Sequence, residues 1–96
     1  MLVTQLPKDT ILTGTQVKEY RKLCDLTRKE FGAYLGYSES GIQGIEERGD
    51  QEVMKVFSIA LRMASADIAM KLHRKELIFD DVRDDLLTVA KLLEAH

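Results

Sequence analysis

The sequence predicts an all-α fold of five helices in one domain. Apolar residues recur at steps of 3 and 4, paired capping residues punctuate them, and no alternating Val/Ile/Thr-rich run offers material for a sheet. A chain of 96 residues with 45% hydrophobic and 31% charged content suits a single globular domain. One proline and six glycines leave few breaks, and neither a fixed-period repeat nor a low-complexity segment interrupts the pattern.

Residues 1–12, MLVTQLPKDTIL, are expected to form an N-terminal arm, broken at Pro7, extended, and ordered by burial of Ile11 and Leu12. Thr13 or Thr15 then caps a first helix that ends near Asp25. Val17, Tyr20 and Cys24, with Leu23 beside them, form its buried face, and Lys18, Glu19 and Lys22 look outward. Thr27 followed by Glu30 is a capping box that starts a second helix, with Phe31, Tyr34 and Leu35 as its apolar face. Gly36 supplies the left-handed residue that ends it. Ser38 caps a third helix that turns Ile42 and Ile45 inward and ends at Gly49. The connection Gly36-Tyr37-Ser38 is so short that it demands an angled helix pair. Residues 13–50 thus form one helical core.

Residues 51–96 are assigned to C-terminal helices that provide packing and dimerisation. From Gln51 to about Lys75 the pattern predicts one long helix, apolar over more than half its circumference and therefore buried on several sides, with Met54, Met63 and Met70 filling core. A last helix is expected to be capped by Asp80, with Asp81, Asp84 and Asp85 complementing its dipole. Phe79, Val82, Leu86, Val89 and Leu93 repeat along it at steps of 3, 4, 3 and 4, the spacing of a helix-pair seam, and this stripe with the exposed side of the long helix is the expected dimer interface.

Several function classes find no support. The single Cys24 excludes an internal disulfide, and with only His73 and His96 to help it makes no metal site; a small core residue is the expected role. No nucleophile and base pair and no phosphate-cradling glycine loop suggests an enzyme, and no cofactor is implied. No apolar run approaches a membrane span and the N-terminus lacks a signal-peptide pattern, so a cytoplasmic location is expected. The net charge of -2 and a pI near 5.6 speak against a generic basic nucleic-acid coat.

The segment VKEYRKLCDLTRKEFGAYLGYSESGIQGIEERG, residues 17–49, resembles the lambda-repressor-like (XRE) helix-turn-helix family. Arg21, Leu26, Thr27, Phe31, Leu35, Gly36, Ser38, Ile42, Ile45 and Glu46 carry the resemblance in fixed register. It implies a sequence-specific duplex-DNA-binding regulator, a homodimer on two half-sites, with the helix at 38–48 in the major groove. Under that reading Glu39, Ser40, Gln43 and Gly44 face base edges: Gln43 can pair with adenine, Glu39 can accept from cytosine, and Gly44 allows close approach. Arg28, at the position where the family usually has Gln, is a phosphate contact, as are Lys29, Tyr37, Ser38, Lys18 and Arg48. Arg21 and Glu46 match a structural ion pair linking the first and third helices.

The chain departs from the family pattern at three places. Asp25 stands where the family prefers Gly, Gly41 and Gly44 weaken the third helix, and one extra residue separates Glu46 from Gly49. An autoregulatory repressor of phage, plasmid or defence-locus type is the expected role, since so short a chain acts most simply by occluding a promoter. The alternative is an antitoxin-like or antirepressor-binding module whose C-terminal half grips a protein partner. Five acids against Arg83 alone at residues 76–85 would supply its acidic patch. The acidic balance does not exclude DNA: residues 18–29 hold five bases and two acids, a local +3, and the whole of the excess acid lies beyond residue 48.

Overall fold

A computed structural model describes residues 2–95, so His96 lies outside the described residues. It contains five α-helices, α1 Gly14–Leu23, α2 Arg28–Leu35, α3 Glu39–Glu46, α4 Lys55–Leu72 and α5 Asp80–Glu94, and no strand among the described residues. Short 3-10 turns occupy Val3–Gln5 and Lys75–Leu77. The expected all-helical class holds. The arm, however, is not simply extended: its 3-10 turn buries Val3 and Thr4 against the body, and Leu12 is more deeply buried than Ile11.

Thr13 caps α1, accepting from the Gln16 amide at 3.2 Å while the Gln16 side chain accepts from the Thr13 amide at 3.0 Å. Asp25, at φ 59°, then reverses the chain in the left-handed region. Val17, Tyr20 and Cys24 point into the core. The Tyr20 ring lies 6.2 Å from Phe31 and 5.2 Å from Phe79, and its hydroxyl donates to the Leu77 carbonyl at 2.8 Å. A single side chain thereby joins α1, α2 and the α4–α5 connection.

The long helix starts at Lys55, later than the periodicity predicts, because the backbone before it is engaged elsewhere. Thr13 bridges Glu52; the Val53 amide donates to the Leu12 carbonyl at 2.9 Å and the Gly14 amide to the Gln51 carbonyl at 3.2 Å. Those groups cannot also serve a helical ladder. Gly14 is required at this seam, since a Cβ there would lie 2.9 Å from the Glu46 carbonyl oxygen.

Within α4, Phe57, Leu61, Ile68 and Ala69 are buried, but the helix is not surrounded as expected. Met54, Met63 and Met70 are exposed and fill no core, and Val56 and Ile59 also face outward. Ser58 accepts from the Leu12 amide at 3.1 Å, and Ser65 accepts from the Phe79 amide at 3.1 Å while donating to the Arg62 carbonyl at 2.6 Å. Arg62 is buried. It donates to Asp81 at 2.9 Å and to the carbonyls of Thr10 and Pro7 at 2.7 and 3.2 Å, with its guanidinium over the Phe79 ring. This one residue ties the arm, α4 and the start of α5 together, and its charge is matched inside the fold, as burial requires.

Two expectations for α5 are corrected. Phe79, not Asp80, occupies the N-cap position, and no side chain caps the helix; Asp80 and Asp81 sit in its first turn, where the dipole favours them. Phe79 is 0% exposed and belongs to the core, so it is unavailable to an interface between subunits. From Arg83 onward every described residue of α5 is exposed. The molecule is correspondingly long, 46 × 25 × 23 Å, with a radius of gyration of 13.6 Å against the roughly 12.5 Å of a compact chain this size. No described helix is long and apolar enough to cross a membrane.

Candidate nucleic-acid interface

The α2–α3 pair is built by local chemistry. Thr27 accepts from the Glu30 amide at 3.1 Å and the Glu30 carboxylate accepts from the Thr27 amide at 2.9 Å; that amide, with the Thr27 hydroxyl, holds the Glu30 carboxyl below its ordinary range. Gly36, at φ 74°, ends α2; the Tyr37 amide returns to the Gly32 carbonyl at 2.9 Å, and Ser38 Oγ accepts from the Gly41 amide at 3.1 Å. Gly32 lets the helices meet, because a Cβ there would overlap the Tyr37 carbonyl and crowd Ile42. Tyr37, half-buried, packs edge-on against Phe57 with ring centroids 5.1 Å apart.

Glu46 sits at the centre of a clamp. Arg21 grips it with two bonds, Nε to Oε2 at 2.6 Å and Nη2 to Oε1 at 3.1 Å, and also donates to the Leu26 carbonyl at 3.0 Å. Arg28 Nε donates to Glu46 Oε1 at 3.2 Å. The carboxylate thus draws α1, α2 and α3 onto one point. Burial pushes the Glu46 carboxyl up, but the bonds and charges of Arg21 and Arg28 outweigh it and leave the group below its ordinary value. The Arg28 side chain, 36% exposed, serves the clamp and borders solvent at once.

The remaining candidates divide by exposure. Glu39, Ser40, Gln43 and Gly44 form the outward side of α3, opposite buried Ile42 and half-buried Ile45. Gln43 Nε2 donates to Glu47 Oε1 at 3.0 Å, and Ser40 Oγ lies 3.3 Å from Ser38 Oγ. A Cβ at Gly44 would meet nothing within 4 Å, so no packing demand explains that glycine. Lys29 is exposed and Lys18 half-buried, while Arg48 Nε donates to the Glu52 carbonyl at 2.9 Å. Glu47 belongs to this surface and sequence reasoning passed over it, although its spacing of four from Gln43 was a readable signal. Acid stands at Glu39 on α3 and at its C-cap, Glu47, while Lys22 on α1 and Lys29 on α2 are exposed.

Elsewhere the candidates are quiet. Cys24 is buried and its thiol is pushed up to about 11, mainly by desolvation, which suppresses the reactive thiolate. His73, exposed, closes α4 at φ 53°. All five acids of residues 76–85 have basic neighbours within the chain: Glu76 with Arg74, Asp81 with Arg62, Asp85 with Lys8, and Asp80 and Asp84 with Arg83. No protein-family model matches the chain, and comparison with curated proteins and with solved structures returned no match.

Proposed function

We propose that this protein has a lambda-repressor-like fold and is a sequence-specific duplex-DNA-binding regulator, an autoregulatory repressor that acts as a homodimer with α3 in the major groove. One observation carries the reading: α3 presents a small, polar outer face, Glu39, Ser40, Gln43 and Gly44, on a helix pair held rigid by the Gly36 turn and the Arg21–Glu46–Arg28 clamp. A preorganised helix with hydroxyl, amide and carboxylate groups outward suits base-edge readout, and the bases of α1 and α2 suit phosphates. The acids on α3 make the electrostatic term modest, so binding depends on register at a specific site and on dimerisation.

Selection of bound fragments from a random DNA pool tests this, and failure of any sequence to be enriched sinks it. Gln43→Ala should change the preferred sequence. Lys29→Ala, free of the clamp's structural burden, should weaken all sequences alike and reduce the salt slope by about one unit. The same response in both variants would refute this division of roles.

The stripe Val82, Leu86, Val89 and Leu93 supplies the dimer contact in this reading, without Phe79. Leu86→Asp with Leu93→Asp should give a monomer by light scattering and weaker operator binding; an unchanged dimer overturns the assignment. A second reading, a module that binds a different protein through its C-terminal half, is favoured by the apolar exposure of α4 and α5. A heterologous partner that co-purifies, with no DNA sequence enriched, would select it.

A further inference from the structure

The exposed apolar surface of the C-terminal half falls into two parts with different shapes. On α4, Val56, Ile59, Met63 and Met70 are 76%, 48%, 68% and 68% exposed. At 100° per residue these four lie within about 60° of one another, a single row along the helix. On α5 the large apolar residues Val82, Leu86, Leu87, Val89, Leu92 and Leu93 spread over about 220° of the circumference, wider than the stripe that one neighbouring helix covers. Beyond its first turn this helix touches little of its own chain, and a 15-residue helix without a partner is marginal in water.

Between α4, the first turns of α5 and the arm at residues 8–11 lies an open groove of about 530 Å³ whose apolar walls are Ile11, Ile59, Met63 and Val82. Of the charged groups that line it, Arg62 pairs with Asp81 and Lys8 with Asp85, and Asp9 and Lys55 stand at its edge as well. What the groove lacks is apolar cover, and what α5 lacks is a second neighbour.

We propose that the groove between α4 and α5 receives the α5 helix of a second copy of this chain, running antiparallel to the groove's own α5. The interface is then a layer of four helices, α4 and α5 from each copy, instead of a contact between two α5 helices. The inference rests on the dimer reading above and deepens it. Three features favour a second copy over another protein. The stripe Val82, Leu86, Val89, Leu93 has steps of 4, 3 and 4, a spacing that reads the same in both directions, so a reversed copy presents a matching set of knobs. Such a contact is closed by a two-fold axis. Arg83 and Glu94 lie on one flank at opposite ends of α5, so the reversed pairing sets each copy's Arg83 near the other's Glu94. Finally, the apolar spread of α5 calls for two neighbours, and the α4 row is the second apolar helical surface that the same molecule exposes.

The experiment needs no DNA, so its outcome is independent of the DNA-binding reading. Met63→Cys protein is mixed with Leu87→Cys protein, and separately with Leu92→Cys protein, under mild oxidation; Cys24 is buried and remains silent. A disulfide-linked heterodimer is expected in at least one mixture, since each chain carries one introduced cysteine and its other thiol, Cys24, is buried. In parallel, Ile59→Glu with Met63→Glu should weaken the dimer by more than about tenfold in sedimentation, with helix content unchanged because both positions are exposed in the subunit. A dimer that survives this change and yields no mixed disulfide overturns the groove and leaves a simple α5 pair. A wild-type chain that stays monomeric overturns both the groove and the dimer.

Discussion

Gly32→Ala is expected to destabilise the protein by about 3 kcal/mol, although alanine favours helix by about 1 kcal/mol elsewhere. The added methyl would overlap the Tyr37 carbonyl and lie 3.3 Å from an Ile42 side-chain carbon. Relief requires the α2–α3 turn to move, and the turn is pinned by the Tyr37–Phe57 contact and the Gly32–Tyr37 hydrogen bond. Gly44→Ala is the control. Its methyl meets nothing within 4 Å, so that variant should be as stable as the wild type or gain up to about 1 kcal/mol. Urea unfolding of the three proteins decides the matter: an equal gain at both glycines would show that helix propensity, and not close approach, sets the effect.

Glu46→Ala should cost about 3 kcal/mol, which for a domain of this size lowers the melting temperature by the order of 15 °C. The cost comes from what remains. Arg21 keeps its charge with a side chain only 11% exposed and loses two of its three bonds, whereas Arg28, at the edge of solvent, can turn toward water. The pH dependence follows from the depressed carboxyl of Glu46 in the fold. A group whose folded value lies below its unfolded value stabilises fully above the unfolded value, about pH 4.3, and that contribution is lost as pH falls through the folded value. Against Glu46→Gln, which keeps the shape without the charge, the wild type should therefore lead at pH 7 and lose its lead as acid is added below pH 4. A stability gap that is the same at pH 7 and pH 3 would contradict the clamp.

Much of the α2–α3 unit was legible because its determinants lie within four residues of one another. Thr27 with Glu30, Gly36 and Ser38 each satisfy or reverse nearby backbone, and Asp25 takes the left-handed turn that its type tolerates. The second bond to Glu46 was not legible, since Arg28 reaches it only after α2 has folded over α3. Likewise α4 was expected too early in the chain: periodicity continues back to Gln51, but pairing with residues 12–14 claims that backbone first.

By itself the sequence determined the helical class, the boundaries of α2, the start of α3 and its outward residues, because caps and periodicity act over one or two turns, whereas α3 ends at Glu46 and not at the expected Gly49. Only the tertiary structure decided which apolar residues are core. Phe79 carries the same seam spacing as Leu86 and Leu93, yet it lies beneath Arg62 and beside Tyr20 and is buried, whereas the other two extend beyond the body and are exposed. Arg62 stands in the middle of an apolar run, yet it becomes the buried tie of arm, α4 and α5, since Asp81 and the carbonyls of Pro7 and Thr10 converge on it. Spacing along a helix says which residues share a face; what covers that face is settled by residues dozens of positions away.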